Sequence, residues 1–196
     1  MDYDLKDYLR CDSKSFIEIS GREGWIKRWK RILFADPISD QRYIWSYIYY
    51  LRHTEYSLLR YQKRKSIYTL LLKIYYLYKL RKISYITGFQ IPPFTCGKGL
   101  TIYHMGSIII NGKARLGDNC TLYPGVLIGW KGPEEQGCAQ IDDNVFVGSG
   151  TKIIGGVKIG NNVILGQNLV VTKDIPDNAV VVVESKYRFL NNQNWA

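Results

Sequence analysis

The chain has 196 residues and a net charge of +10, so it is long enough for one substantial core or two small domains. Its cysteines show neither C-x-x-C spacing nor a nearby histidine pair, which disfavours a zinc site. The absence of P-loop and G-x-G-x-x-G motifs argues against nucleoside-triphosphate or dinucleotide chemistry. The start of the chain, MDYDLKDYLR, lacks the apolar segment of a secretory signal, and the longest apolar stretch is too short to span a bilayer. We therefore expect a cytoplasmic protein with reduced thiols.

Residues 1–88 form a basic, tyrosine-rich region that we predict to be a helical domain. They hold 18 of the 27 Lys and Arg, and 13 of the 16 tyrosines. Hydrophobic periodicity predicts helices at about 3–10, 22–34, 38–60 and 63–84. The last of these carries six apolar residues on one broad stripe with the spacing of a core-facing helix: Ile67, Leu70, Leu71, Ile74, Leu77 and Tyr78.

The segment 60–82 contains eight Lys and Arg and no acid. One interpretation is the solvated basic face of a helical cap that helps subunits to associate. Another is a peripheral contact with an anionic polymer or a membrane-linked acceptor, at the inner face of the membrane. No nucleic-acid partner is expected, because no nucleic-acid-binding module accompanies the charge.

A six-residue repeat begins at Cys96, from which an aliphatic or similar residue recurs through about twelve blocks such as IDDNVF and IGNNVI. Two blocks are longer, those that open at Ile108 and Ile128. The second to fourth positions collect Gly, Asn and Asp, which tolerate left-handed backbone at turns. Short strands that turn every six residues predict a triangular parallel β-helix of about four coils over residues 89–183, with a tail at 184–196. Ordinary β-hairpins would instead require alternating polarity and two-residue turns.

The repeat region contains GLTIYHMGSIIIN, LGDNCTLYPGVLIG and VFVGSGTKIIGGVKIGNNVILGQNLVVTKDIPDNAVVV. These stretches, and more weakly the helical segment LRHTEY, resemble the hexapeptide-repeat acyltransferases. The resemblance is to the serine O-acetyltransferase branch, especially its relatives in bacterial polysaccharide synthesis. It implies left-handed coils, although the crossover rule alone would favour right-handed ones. The expected fold is mainly β with α: a left-handed parallel β-helix preceded by an N-terminal helical domain.

His104 lies in an apolar, strand-like run, and the chain has one other histidine. Counting blocks in threes places it at a corner of the prism, in a column with Pro124, Ser149 and Gln167. Coils about 4.8 Å apart would separate His104 from Gln167 by about 14 Å, which suits an extended pantetheine arm. In the family the matching histidine is the catalytic base, so the resemblance implies that His104 deprotonates the hydroxyl that attacks acetyl-CoA.

Three positions depart from the family's serine enzymes. Where the family has a substrate-binding acid just before the catalytic histidine, this chain has Tyr103. Where the family has an arginine–histidine pair in the following loop, it has Gly137 and Cys138. The family acid that pairs with the histidine falls at Gln90, which can accept an imidazole N–H but supplies no charge. Because zwitterionic serine requires charged partners, we predict a saccharide acceptor instead.

The predicted donor is acetyl-CoA, with no metal. A cationic far end of the groove should meet the coenzyme A phosphates. The long block Gly129–Gln140 must leave the prism surface, and the resemblance implies that it reaches over the cofactor. The cofactor contacts implied by the resemblance are Ser149, Gly150, Gln167, Lys173 and Trp130. The acceptor contacts are Tyr103, Tyr123 and Cys138, and the catalytic pair is His104 with Gln90.

The sequence therefore predicts an acetyl-CoA-dependent O-acetyltransferase that acts on a sugar hydroxyl of a bacterial surface polysaccharide or its precursor. One alternative is an O-acetyltransferase for serine or another small molecule, and a second is a non-catalytic β-helix scaffold. The family architecture also implies a homotrimer, because the flat faces expose apolar strands and the groove beside His104 needs a second subunit as its other wall.

Overall fold

The computed structural model describes residues 3–20, 40–132 and 137–184. The helix predicted at 22–34 and the tail beyond residue 184 lie outside these ranges. Within them, the chain begins with helices and continues as a β-helix. In the described part of the chain, no helix combines the length and the apolar character needed to cross a membrane.

Three helices form the described part of the N-terminal region: α1 (Leu5–Ser20), α2 (Gln41–Lys63) and α3 (Ile67–Thr87). α2 and α3 pack against each other as a hairpin. The break between them is set by a capping box, in which the Ser66 hydroxyl accepts the Thr69 N–H and the Thr69 hydroxyl accepts the Ser66 N–H. α3 ends at Gly88, whose φ of 79° is the left-handed conformation that glycine adopts easily. The β-helix starts at the next residue.

The apolar stripe of α3 faces outward, so the expectation that it is a core-facing stripe is wrong. We call Ile67, Leu71, Ile74, Tyr78 and Tyr85 the outer stripe of α3, and all five side chains are exposed. The helix is instead buried through the opposite side: Thr69, Leu80, Ile83 and Thr87. Periodicity could not distinguish the two sides, because α3 is apolar on both and only one of them packs against the rest of the chain.

The remaining chain winds as short parallel strands into three sheets, which form the faces of a prism. Sheet A contains β1 (Phe89–Gln90), β3 (Ile108–Ile110), β6 (Leu127–Gly129), β9 (Lys152–Ile154) and β12 (Val170–Val171). Sheet B contains β4 (Arg115–Leu116), β7 (Gln140–Ile141) and β10 (Lys158–Ile159). Sheet C contains β2 (Thr101–Ile102), β5 (Thr121–Leu122), β8 (Phe146–Val147), β11 (Ile164–Leu165) and β13 (Val180–Val181). The predicted parallel β-helix is confirmed.

The corners of the prism explain the Gly, Asn and Asp content of the repeat. Four asparagines at the corner between sheets B and C have positive φ, between 57° and 60°: Asn119, Asn144, Asn162 and Asn178. Each of the first three donates its side-chain N–H to the side-chain oxygen of the next, at 3.0–3.2 Å. The asparagines therefore stabilise the corner in two ways. They tolerate the left-handed backbone, and their side chains form hydrogen bonds with one another between coils.

A buried arginine joins the helices to the first coil of the β-helix. The Arg52 side chain on α2 is fully buried and donates to Asp12 of α1 at 2.8 Å and to Glu55 at 3.1 Å. It also donates to the main-chain carbonyls of Cys96, at 2.9 Å, and Gly97. Burial alone would lower the pKa of Arg52, but the two carboxylates hold that pKa above its ordinary value.

The two acids of this cluster also contact the first coil. Asp12 accepts the main-chain N–H of Leu100 at 3.0 Å, and Glu55 accepts that of Phe94 at 2.7 Å. Backbone groups at the end of a β-helix have no further coil to bind, so these bonds satisfy groups that would otherwise be unpaired. The helices thus form a polar cap on the first coil.

Candidate active site

The strand register of sheet C produces the column that the repeat predicts. Leu122 pairs with Ile102 on one side and Val147 on the other, and Val147 pairs with Leu165. Two residues further along each turn lie His104, Pro124, Ser149 and Gln167, at the corner between sheets C and A. Backbone bonds keep the turns in register: the Gly150 N–H donates to Pro124 at 2.9 Å, and the Asn168 N–H donates to Ser149 at 2.8 Å.

His104 projects from this corner with 66% of its side chain exposed, and its charged neighbour is Asp40. Nδ1 of His104 lies 3.6 Å from Oδ2 of Asp40. The same carboxylate oxygen accepts the main-chain N–H of Met105 at 2.7 Å, which fixes the acid beside the imidazole. A carboxylate at this distance stabilises a positively charged imidazolium.

Nothing in the repeat pattern indicates Asp40, because it lies 64 positions before His104, outside the β-helix. Its position just before α2 is typical of a helix-capping residue. However, the side chain makes no capping hydrogen bond to α2 and is instead directed at Met105 and His104. The failure to cap its own helix is visible only in the three-dimensional structure.

A row of aromatic side chains also lies near His104. The Tyr103 and Tyr123 rings are stacked with centroids 4.8 Å apart, and Phe146 continues the row at 5.2 Å from Tyr123. The edge of Tyr123 faces the His104 ring at 6.5 Å. Burial raises the pKa of Tyr123, with a smaller effect from Tyr103, so its phenol remains protonated at neutral pH. The site therefore presents an imidazole with a carboxylate and an aromatic row as neighbours.

Gln90, predicted as the partner of His104, lies on β1 at the exposed face of sheet A, opposite Ile109. The role of Gln90 as partner of His104 stays a prediction, and the acid that lies beside His104 is Asp40. Of the predicted cofactor contacts, Ser149, Gly150 and Gln167 lie in or beside the His104 column. The Ser149 hydroxyl donates to the Pro124 carbonyl at 2.8 Å, and Gly150 has a φ of 73°.

The other predicted site residues lie at the corner between sheets A and B. Trp130 follows β6 and is exposed, and Lys173 follows β12 and is exposed as well. Cys138 is only 8% exposed and packs in the prism core. The chain therefore brings Tyr103 and Tyr123 to His104, but it places Trp130 and Lys173 at a different edge and buries Cys138 in the core. Among the described residues, no group of three or more His, Cys, Asp and Glu side chains is placed to hold a metal ion.

Comparison with known families and proteins supports the predicted six-residue repeat of the β-helix. The family described as "Bacterial transferase hexapeptide (six repeats)" matches residues 138–173. Serine acetyltransferase of Staphylococcus aureus (strain Mu50) is 38% identical over 100 residues, which are 50% of this chain and 47% of that protein. The chain thus spans about half the length of the curated relatives it matches. The resemblance to hexapeptide-repeat acyltransferases of the serine O-acetyltransferase branch is confirmed.

Solved structures show the same fold. Soybean serine acetyltransferase complexed with serine has a TM-score of 0.67 and 20% identity, covering 93% of this chain and 68% of that one. A serine acetyltransferase in complex with CoA has a TM-score of 0.63 and 21% identity, covering 90% of this chain and 66% of that one. This likeness confirms the predicted fold, in which N-terminal helices are followed in the sequence by a left-handed β-helix.

Proposed function

We propose that this chain is an acetyl-CoA-dependent O-acetyltransferase with His104 as its general base. The observation that carries the proposal is the placement of an exposed imidazole at a prism corner, 3.6 Å from the carboxylate of Asp40. An exposed imidazole is available to an acceptor, and an imidazole can both take up a proton and return it within one reaction. The names of the relatives support the same reaction class.

His104 would act through its two ring nitrogens. Nδ1 faces Asp40, so Nε2 is left to take the proton of the acceptor hydroxyl as that oxygen attacks the thioester carbonyl of acetyl-CoA. The tetrahedral intermediate then expels the coenzyme A sulfur, and the imidazolium returns its proton to the thiolate. Asp40 stabilises the imidazolium between these two steps, and a main-chain N–H is the expected donor to the oxyanion. The products are the acetyl ester and coenzyme A.

Asp40→Asn separates this electrostatic role from a structural one. The amide oxygen of asparagine can still accept the Met105 N–H, while the negative charge beside His104 is lost. We expect kcat to fall by about tenfold or more, with unchanged KM for acetyl-CoA and an unchanged unfolding midpoint. Steady-state kinetics and urea unfolding measure these quantities. Wild-type kcat in Asp40→Asn, with loss only in Asp40→Ala, would mean that Asp40 is purely structural.

The acetyl donor would lie along the His104 column, with Ser149, Gly150 and Gln167 beside its pantetheine arm. In this proposal Lys173, which lies at the corner between sheets A and B, binds the 3′-phosphate of coenzyme A. The CoA complex of a structurally similar serine acetyltransferase supports coenzyme A as the ligand class.

Lys173→Ala should weaken acetyl-CoA binding by about tenfold, because a charge-assisted bond to the 3′-phosphate is lost. Binding of 3′-dephospho-acetyl-CoA should change by less than about twofold. Isothermal titration calorimetry measures both affinities, and Lys158→Ala, an exposed lysine on sheet B, is the matched control. Equal losses for the two ligands would place Lys173 away from the 3′-phosphate.

For the acceptor, the comparisons favour serine, the alternative above, over the predicted saccharide. The relatives are serine acetyltransferases. Asp40 also weakens the case against serine, since the site does contain an acid that could meet an ammonium group. A sugar hydroxyl of a polysaccharide precursor is the second candidate, favoured by the stacked Tyr103 and Tyr123 rings, which suit the C–H face of a sugar.

An acceptor assay decides between the two. Purified protein with acetyl-CoA should release free thiol when L-serine is added, and mass spectrometry should detect O-acetylserine. Surface-polysaccharide fragments and their monosaccharides are tested under identical conditions, with D-serine as a stereochemical control. Turnover with a saccharide but not with L-serine would establish the second candidate. No turnover with either, in protein that binds acetyl-CoA, would contradict both acceptors.

We further propose a homotrimer in which a neighbouring subunit completes the groove beside His104. Sheet C exposes the apolar Ile164 and Val180 on its outside, and sheet A exposes Val170 beside the polar Gln90 and Lys152. Sheet B instead presents polar side chains: Arg115, Gln140 and Lys158. The His104 column lies at the corner between sheets C and A, where a subunit that covers the apolar side chains of these sheets would also approach the site. Such a subunit could supply the groups that lie at the A–B corner of one chain, Trp130 and Lys173.

A further inference from the structure

The outer stripe of α3 is a large apolar surface that nothing in the described part of the chain covers. Ile67 is 72% and Tyr85 is 76% exposed, and Leu71, Ile74 and Tyr78 lie exposed between them. These residues follow one side of a 21-residue helix, which is about 31 Å long. Isolated exposed apolar residues are ordinary, but a continuous stripe of this length marks an interaction surface.

The charge around this stripe has one sign. Residues 56–117 contain no Asp or Glu, and in residues 41–117 the single acid is Glu55, which is buried against Arg52. Arg81 and Lys82 are exposed on the side of α3 that carries the stripe, between Tyr78 and Tyr85. The hairpin of α2 and α3 therefore presents a cationic surface without exposed acids.

Basic and aromatic groups are paired within this surface. Lys79 Nζ lies 5.5 Å from the centroid of the Tyr75 ring, and Arg81 Nε donates to the Tyr85 hydroxyl at 3.2 Å. Tyrosine, lysine and arginine have apolar bodies and polar ends, which is why they collect where an apolar phase meets water. Their arrangement around an apolar stripe is that of a helix lying in a bilayer surface.

We propose that the outer stripe of α3 docks on an anionic lipid bilayer, with its apolar residues in the interface and its lysines and arginines against lipid phosphates. A second copy of the chain would cover the apolar stripe, but a symmetric contact would bring two cationic surfaces together without acids to compensate. A soluble anionic polymer would match the charge, but it offers no apolar phase for Leu71 and Ile74. An anionic bilayer satisfies both requirements.

The test is co-sedimentation of the full chain with lipid vesicles, without acetyl-CoA or an acceptor, so that the outcome does not depend on the proposed reaction. Vesicles of phosphatidylcholine alone are compared with vesicles that contain about a quarter phosphatidylglycerol. Binding to the anionic vesicles should be at least about tenfold stronger, and it should weaken at high salt.

Two pairs of substitutions probe the two parts of the surface. Arg81→Glu with Lys82→Glu should weaken binding to anionic vesicles by at least about tenfold. Lys113→Glu with Lys158→Glu changes the net charge equally on the β-helix and should change binding by less than about twofold. Leu71→Ser with Ile74→Ser keeps the charge and should also weaken binding by about tenfold, because apolar burial in the interface is lost.

Each of three results would overturn the proposal. The first is absence of wild-type binding, and the second is an equal loss in both charge variants. The third is retention of vesicle binding by the Leu71 and Ile74 variant together with binding to soluble dextran sulfate, which would identify an anionic polymer as the partner. If the wild type does not bind vesicles and the Leu71 and Ile74 variant changes its oligomer mass, the outer stripe is a contact between copies.

Discussion

His104→Ala should lower the rate of acetyl transfer by about 10²–10⁴-fold, the usual contribution of a general base. The acceptor hydroxyl holds its proton at neutral pH, and without an imidazole at the corner no other group of the described chain lies in the same position to take it. Affinity for acetyl-CoA should change little, because the arm would lie along the coils beyond His104. Thiol release under saturating substrates measures the effect.

His53→Ala is the matched control. The His53 ring lies on α2 between the Tyr49 and Tyr76 rings, so its loss removes a histidine without touching the column. It should retain wild-type turnover. Light scattering should give the mass of three chains for the wild type and both variants, since residue 104 is exposed at a corner. Near-wild-type turnover in His104→Ala would favour the scaffold alternative, and an active monomer would contradict the shared groove.

Arg52→Ala should destabilise the fold by about 3–5 kcal/mol, the typical cost of removing one partner from a buried ion pair. The substitution leaves Asp12 and Glu55 buried without their counter-charge. It also removes the donors to the carbonyls of Cys96 and Gly97 in the first coil. The loss should therefore affect the docking of the helices on the β-helix as well as the helices themselves.

Urea unfolding at fixed protein concentration measures this change. Arg60→Ala is the control, because Arg60 lies two turns later on α2 with its side chain exposed, and its loss should cost less than about 0.5 kcal/mol. Arg52→Lys should fall between the two, since lysine keeps the charge but not the planar fork that reaches several partners. If Arg52→Ala and Arg60→Ala unfold at the same urea concentration, the buried cluster does not stabilise the fold.

The β-helix could be predicted from the sequence because its determinants are local and repeated. Each block carries its own inward aliphatic residue and its own corner residue, so the register of His104 with Gln167 follows from counting. The positive φ of Asn119 and Asn144 agrees with the same pattern. Long-range pairs are different. Asp40 and His104 are far apart in the sequence, and no local pattern at either residue indicates the other.

The helical region was harder to predict for a related reason. α3 is apolar on two opposite sides, so hydrophobic spacing could not tell whether Ile74 or Ile83 faces the core. Arg52 resembles any charged residue of an exposed helix, and its burial depends on Asp12 and on the open carbonyls of the first coil. The buried side of α3 and the burial of Arg52 both depend on how the helices pack against each other and against the first coil. The periodicity of a single helix carries no information about that packing.

Hydrogen bonds between coils fix the spacing of the β-helix, so distances along the His104 column are whole multiples of that spacing. Backbone bonds between coils, such as Gly150 to Pro124 and Asn168 to Ser149, set each step, so side-chain substitutions leave the step unchanged. The separation between the main chain at His104 and at any position further along the column can therefore change only by whole coils, each about 4.8 Å. In the proposed site, this fixed coil spacing would set the length of the acyl donor that fits along the column. Adaptation to a shorter or longer acyl carrier would require the loss or gain of a complete coil.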